Sequence, residues 1–367
     1  MLPRLLIVQP TPFCNIDCQY CYLQSRSRRD RMDHSILEAF AARFLPEAGD
    51  LGECVLVWHG GEPLTAGIAW YEAAYRVLSP LIARGLRTAV QTNGIGLDQK
   101  WAELFLNNGT SIGFSIDGPQ RFHDARRITK SGAGTWRMAI DALALARRNG
   151  FNPSVITVLH PDTFDHAREF FDFYRRFGIT NVSFSIDEVE GANAASSMGL
   201  GSRQAMISFL LDILLFAHHD RYPLQIKEIE RISWILLGQQ PLWNEQVEPW
   251  STVTVDVDGN IGTFSPELLE MRSARYRNYC AGSITDQNLD RELSGVFGVL
   301  AGEVEAGRDT CRRHCKYYSV CGGGAPVNKI AEHGTANAAE TVYCALTTQA
   351  AADALALYVA RTQIAGP

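Results

Sequence analysis

The chain has 367 residues, 46% of them apolar and 20% charged, with a net charge of −6. This is the composition of a globular protein long enough for one large unit and a smaller one, each with its own core. It carries no basic excess for nucleic acid or an anionic membrane, and the basic run Arg26 to Arg31 reads as a solvated loop, with a ligand contact as the alternative.

No signal peptide is evident, because Leu5-Leu6-Ile7-Val8 is too short for a signal core. The longest apolar run, Phe209 to Ala217, is interrupted by Asp212 and falls short of the ~20 residues needed to span a bilayer. A cytoplasmic location is expected, with no membrane or nucleic-acid partner. The nine cysteines then read as metal ligands rather than disulfides, and most lie near the two ends of the chain.

In chain order, Leu5 to Gln9 predicts a buried strand ended by Pro10 and Pro12. The array Cys14-Asn15-Ile16-Asp17-Cys18-Gln19-Tyr20-Cys21 follows in a loop. Asp33 reads as an N-cap for a helix with Ile36, Leu37, Phe40, Ala41, Phe44 and Leu45 on one face, and Pro46 stops it. Strands are predicted at Cys54 to Trp58, Arg87 to Gln91, Ser111 to Ser115, Ser154 to Leu159 and Asn181 to Ser185. Helices are predicted at about Ile68 to Ala83, Gln99 to Asn107, Thr135 to Arg148 and Phe164 to Phe177, with a basic loop at His123 to Lys130. This alternation indicates βαβ units and a parallel sheet of six strands. Polar and Gly-containing turns recur at strand C-termini, where parallel architectures place ligands.

From Gly191 to Ser202 the sequence is small and polar, like a linker. Two amphipathic helices (Gln204 to His219, Lys227 to Leu237) precede a hairpin that begins at Val253 and turns at Asp258-Gly259-Asn260. A cysteine-dense stretch from 311 to 344 leads into a final helix, about Tyr343 to Ala360. The expected division is 1–190, a helical bridging region 191–245, and 246–367.

Three thiolates spaced C-x3-C-x2-C can hold three irons of a cubane cluster, and a fully protein-ligated cluster needs four. A zinc site short of one ligand, or three buried free cysteines, is the alternative. The array, with Tyr20 just before its last cysteine, resembles the radical SAM signature. The resemblance implies a [4Fe–4S] cluster on Cys14, Cys18 and Cys21 whose open iron chelates S-adenosyl-L-methionine (SAM), yielding a hydrogen-abstracting 5′-deoxyadenosyl radical. His59-Gly60-Gly61-Glu62-Pro63 resembles the family's GGEP motif, implying that Gly60, Gly61 and Glu62 meet the SAM ammonium. Gln91-Thr92-Asn93-Gly94 and Ser115-Ile116-Asp117-Gly118 resemble segments lining the SAM carboxylate and ribose. Asn93, Ser115 and Asp117 are therefore expected cofactor contacts, together with Tyr20. Arg127 is expected to pair with the SAM carboxylate or to form an ion pair.

Cys311, Cys315, Cys321 and Cys344 supply four thiolates, enough to close a second cluster or a tetrahedral zinc site. Their pattern resembles a SPASM domain, which implies one auxiliary [4Fe–4S] cluster. It departs from the fuller pattern of seven cysteines: the hairpin reads Gly262-Thr263-Phe264-Ser265 and the fourth position after Cys321 is Ala325. Cys280 reads as a leftover thiol and Cys54 as core. The expected fold is α/β, a partial (β/α)6 TIM-type barrel followed by a small SPASM domain.

Val8 to Cys14, Val57 to Pro63, Thr263 to Leu269 and Cys321 to Lys329 resemble the GRRM-system, cyclophane-forming maturases. That likeness implies a ribosomally made precursor peptide crosslinked from an aromatic ring carbon to a Cβ, and a flavodoxin- or ferredoxin-type electron donor. A thioether-forming or sulfatase-maturase-like relative is the alternative enzyme, and an iron–sulfur or zinc peptide-binding protein the non-enzymatic one. The arene proton needs a base. Asp256 and Glu267 are the candidates, against turn-shaping for Asp256 and capping for Glu267. No N-terminal winged-helix leader-binding domain is expected, so leader recognition falls to 191–237, a sheet edge, or a separate protein.

Overall fold

A computed structural model describes residues 2–45, 48–286 and 289–364. The strands, in chain order, are β1 (Leu5–Val8), β2 (Ile16–Cys18), β3 (Val55–Trp58), β4 (Arg87–Thr92), β5 (Thr110–Ser115), β6 (Arg127–Thr129), β7 (Ser154–Leu159), β8 (Asn181–Ile186), β9 (Gln225–Ile226), β10 (Thr252–Val255) and β11 (Ile261–Thr263). One sheet runs β11-β10-β1-β3-β4-β5-β7-β8-β9, and β2 pairs with β6 apart from it.

The six anticipated strands are β1, β3, β4, β5, β7 and β8, side by side in chain order and parallel throughout. Helices Ile68–Ile82, Gln99–Asn107, Trp136–Arg148 and Ala167–Arg176 make the crossovers. Each buries an apolar stripe, such as Phe170, Phe171, Phe173 and Tyr174 on the last. Trp58, fully buried on β3, packs edge-on against Trp70, Tyr71 and Tyr75. Asp33 caps its helix through the Ser35 N–H at 2.8 Å. That helix ends at Phe44, and Pro46 lies outside the described residues.

Three features depart from the sequence expectation. The hairpin β10–β11 joins the main sheet, with β10 parallel to β1 and Leu5 opposite Thr252. Pairing therefore crosses residue 246, where a separate unit was expected to begin, and the edge of β1 is covered rather than exposed. Residues 191–202 are pinned rather than loose: the Asp187 carboxylate accepts from Asn193 Nδ2 (2.8 Å), Ser197 N (2.8 Å) and Ser197 Oγ (3.0 Å). Short polar side chains that look like linker composition are here a hydrogen-bonded cap. Finally, a helix at Leu289–His314, unanticipated, carries Cys311.

Two helical stretches, Leu200–His219 and Val342–Gln363, are long and apolar enough to cross a membrane by length and composition. Polar residues such as Asp212 and Asp353 interrupt both, so neither is an unbroken apolar run in the sequence. Here they pack together, with Met206, Ile207, Phe209, Leu210, Leu211 and Ile213 buried and Arg203 paired to Asp353.

Candidate functional site

The cysteine loop is not free-standing. β2 pairs antiparallel with β6, setting Cys18 opposite Arg127. The loop is then clamped from the sheet side. At Gly61 (φ +49°) an added Cβ would lie 2.5 Å from the Phe13 carbonyl oxygen, so only glycine lets the two segments meet. The Glu62 N–H donates to that same oxygen at 2.8 Å.

Glu62, 1% exposed, ties its own turn to the end of β4. Its oxygens accept from Leu64 N (3.0 Å), Thr92 Oγ1 (2.7 Å) and Asn93 N (2.8 Å). Burial nonetheless pushes its carboxyl up to about 7. Asn93 continues the tie through Nδ2, 2.8 Å from Asn15 Oδ1 and 3.9 Å from Cys14 Sγ. Ser115 Oγ accepts from Gln91 Nε2 at 2.8 Å.

At the end of β5, Asp117 is the hub of a second buried network. Oδ2 accepts from Tyr20 Oη (2.6 Å) and Arg127 Nε (2.9 Å), and Oδ1 from Val158 N (3.0 Å). Burial raises the Asp117 carboxyl, but Arg127 and the hydrogen bonds outweigh it and hold the group below its ordinary value. Arg127 therefore forms an ion pair with Asp117, and its Nη1 reaches 3.8 Å from Cys18 Sγ. His123 fixes the hub from behind. Nδ1 accepts from Asp117 N, so Nε2 carries the proton toward Thr135 Oγ1, which donates to the Arg127 carbonyl. Burial keeps this imidazole neutral, with its pKa lowered to about 4.

Burial, reinforced by Glu62, pushes the Cys14 thiol up to about 12; burial, opposed by Arg127, pushes Cys18 to about 11. Both are protonated without metal, so ligation must expel protons.

The second set is built differently. Cys311 ends the long helix, Cys321 closes a short helix (Tyr318–Cys321), and Cys344 opens the final helical segment. With Cys315 they border a cavity of about 340 Å³. N–H groups point at the sulfurs: Gly324 N to Cys321 (3.2 Å), Thr341 N to Cys344 (3.2 Å) and the buried Lys329 Nζ to Cys311 (3.5 Å). Among the described residues, no three His, Cys, Asp or Glu groups gather tightly enough for a single metal ion. A tetrahedral zinc needs sulfurs at about 2.3 Å from one point. Four thiols around a cavity, with N–H donors to sulfur, fit a four-iron cluster better. Cys54 is core, its Sγ 3.0 Å from the Pro3 carbonyl. Cys280 lies apart, on a cavity of about 420 Å³ with Gln9, Asp256 and Glu270.

The two candidate bases separate. Asp256 holds the hairpin turn, accepting from Asp258 N, Asn260 N and Asn260 Nδ2, all at 2.9 Å. Glu267, bonded to Ser265 Oγ, joins a carboxyl group that sequence reasoning missed: Glu188 and Glu190, just past β8. Asn328 Nδ2 bridges Glu188 and Glu190. Burial pushes Glu188 up to about 8 and raises Glu190 and Glu267. Burial, then Glu267, raises the phenol of Tyr22, next to Cys21, with Glu190 adding to it; burial, then Glu188, raises that of Tyr343, next to Cys344, with Glu190 and Glu267 adding to it. The signal available was three acids in Asp187-Glu188-Val189-Glu190 at a strand C-terminus.

The sequence profile of the Radical SAM superfamily matches residues 8–174. An uncharacterized protein of Synechocystis sp. is 30% identical over 359 residues, covering 95% of this chain and 90% of the relative. A serine-type anaerobic sulfatase-maturating enzyme of Bacteroides thetaiotaomicron is 27% identical over 363 residues, covering 89% and 84%. The solved structure of native anSMEcpe with bound AdoMet and peptide aligns with a TM-score of 0.77 at 21% identity, over 99% of this chain and 98% of that one. At that identity the likeness concerns the fold.

Proposed function

The chain belongs to the Radical SAM superfamily, and is an enzyme on that ground; we propose that it matures a ribosomally made precursor peptide by joining an aromatic ring carbon to a Cβ. The observation that carries the reading is the carboxyl group Glu188, Glu190 and Glu267, in which Asn328, seven residues beyond Cys321, bridges Glu188 and Glu190 past the end of β8, and Ser265 holds Glu267. A substrate between the two sets would meet it.

When bound, a four-iron cluster on Cys14, Cys18 and Cys21 with SAM supplies one-electron chemistry that removes a hydrogen atom from carbon. Gly60, Gly61 and Asn93 would orient SAM, braced by Glu62; Tyr20, Asp117 and Ser115 would wall its adenosyl side. Contact of Glu62 or Arg127 with SAM would be secondary to the bonds they already make within the protein. Cys311, Cys315, Cys321 and Cys344 would hold one auxiliary cluster, which Lys329 and the N–H donors suit. Joining two carbons removes one hydrogen from each. The ring hydrogen leaves as a proton plus an electron: the electron would go to a one-electron acceptor, the role the auxiliary cluster would supply when bound, and the proton to a carboxyl of the Glu188/Glu190/Glu267 group while that carboxyl is ionised. Residues 1–190 and 246–367 would divide these roles, with a small flavodoxin- or ferredoxin-type donor and the precursor peptide as partners, and leader binding at 191–237, at a sheet edge or on a separate protein.

A sulfatase-maturase-like oxidation of Cys or Ser is the second reading, favoured by the relatives of that name. Ala325 and the cysteine-free Gly262–Ser265 segment speak against its two-auxiliary-cluster form. Co-expression with the neighbouring small open reading frame, followed by tandem mass spectrometry, tests the proposal. The expected product has lost two hydrogens per modified motif and carries an aromatic-to-Cβ bond. A product trapped by a carbonyl reagent, or one with a sulfur bridge, contradicts it.

A further inference from the structure

The basic run Arg26 to Arg31 reads in sequence as a solvated loop, yet in the fold two of its arginines are committed. The Arg26 carbonyl accepts from Cys14 N at 3.0 Å, and its guanidinium donates to the Cys18 carbonyl at 3.0 Å and pairs with Asp17 at 2.7 Å. Arg28 is chelated by Asp258 at the hairpin turn and also meets Asp30. Arg29 is different. It is exposed and pairs with no carboxylate among the described residues; its guanidinium lies over the Phe13 ring, 4.5 Å from the centroid. Lys130, exposed just past β6 and equally without a carboxylate among the described residues, sets its ammonium 4.3 Å from the centroid of the same ring. Phe13 directly precedes Cys14.

Two like charges held at one ring repel each other, which offsets part of their attraction to it. Elsewhere the fold balances such a pair. Phe171 also carries two cations, Arg168 and Arg175, and these are paired with Asp172 and Asp220. At Phe13 the balancing carboxylates are missing. The result is an exposed positive patch beside a cysteine of the first set, on a chain whose net charge is −6. A negative partner from outside would complete it. The position says which kind: the first set needs an electron delivered before any hydrogen atom is removed, and a protein that delivers it must approach that set. The Glu188/Glu190/Glu267 group has the sign that would turn an acidic protein away.

We propose that Arg29, Lys130 and the Phe13 ring between them and Cys14 form the docking surface for a small acidic electron-carrier protein. This rests on the radical SAM reading above. One electron leaves the reduced carrier and enters the first site; no proton or group is transferred.

The test is equilibrium binding of a purified acidic flavodoxin, oxidised so that no electron moves, to the iron-loaded protein at low and high salt. The wild type should bind it, and more weakly as salt rises. Arg29→Glu/Lys130→Glu should weaken binding at low salt by at least ~10-fold, and Arg29→Gln/Lys130→Gln by about 3-fold. Arg29→Lys/Lys130→Arg, which keeps both charges, should retain it. So should Arg148→Glu, at an exposed cation on the C-terminal end of the helix Trp136–Arg148. With SAM and reduced flavodoxin, the charge-reversed variant should form 5′-deoxyadenosine more slowly than wild type, whereas dithionite, which needs no docking surface, should drive both equally. Iron content equal to wild type certifies that each variant is folded. If wild type does not bind flavodoxin, if the reversed variant binds it as tightly, or if Arg148→Glu weakens it as much, the assignment is wrong while the radical SAM reading stands. A reversed variant that keeps flavodoxin and loses the precursor peptide gives the patch to the peptide and overturns the assignment too. If iron-loaded wild type forms no 5′-deoxyadenosine with dithionite and SAM, the radical SAM reading falls and takes the proposal with it.

Discussion

The two cysteine regions solve different structural problems. Residues 14–21 bring three thiols into a loop that is tied down on every side: by β6, by the Gly61 contact, by Glu62 and Asn93, and by Asp117 and Arg127. Residues 311–344 bring four thiols around a cavity from helix ends and a glycine turn, with Lys329 buried beside one sulfur. The first is a three-ligand site surrounded by polar strand ends, the second a site that its own thiols can close. If residues 14–21 hold a metal cluster, as proposed, the contrast teaches that the missing ligand is matched by investment in the surrounding scaffold. That is what a site sharing its metal with a small molecule requires.

The comparison can be broken at its bracing. Arg127→Met removes one partner of a buried ion pair whose side chains are 9% and 2% exposed. It should cost about 3–5 kcal/mol in thermal or denaturant unfolding, because Asp117 is left charged and buried. It should also lower iron loading at the first site while sparing the second. An unchanged stability, or equal loss at both sites, would show that the scaffold is not specific to the first.

A smaller effect should distinguish the second region. Lys329→Met removes a cation 3.5 Å from Cys311. If the four thiols hold a cluster, as proposed, its reduction potential should fall by on the order of 60 mV, one tenfold change for a single electron. Protein-film voltammetry reads this directly, and a shift confined to the other centre would contradict the geometry.

A third effect, in the pH dependence of stability, concerns the carboxyl group Glu188, Glu190 and Glu267. Glu188 has an ordinary value of 4.5 and is raised to about 8 in the fold. The folded state therefore binds a proton that the unfolded state does not, and stability should fall as pH rises from about 4.5 to about 8. Glu188→Gln should flatten that part of the profile in thermal melts of the metal-free protein. A profile that is equally steep in the variant places the proton elsewhere.

Much of this was legible in the sequence. The six parallel strands were, because buried strands alternate with periodic helices and the turns at their ends are Gly-containing. The cysteine spacings were, because ligand geometry is written into short separations. What escaped notice depends on contacts between distant segments. The pairing of β2 with β6 is three residues long, too short to show a period. The attachment of β10 to β1 joins residues nearly 250 apart in sequence, and nothing local announces it. Asn193 and Ser197 look like linker residues until they are seen holding Asp187. Arg127 was expected to meet the SAM carboxylate or to form a surface ion pair, and that its partner is the buried Asp117 appears only once β6, paired with β2, is set near the end of β5.

The most direct test of the division of labour is one paired assay. The anaerobically reconstituted wild type and a Cys14→Ala/Cys18→Ala/Cys21→Ala variant are analysed for iron and, with dithionite and SAM, for 5′-deoxyadenosine. The wild type should hold about eight irons per chain and form 5′-deoxyadenosine, while the variant should keep about four irons and form none. A variant that still makes 5′-deoxyadenosine, or a wild type that holds zinc in place of iron and makes none, contradicts the account.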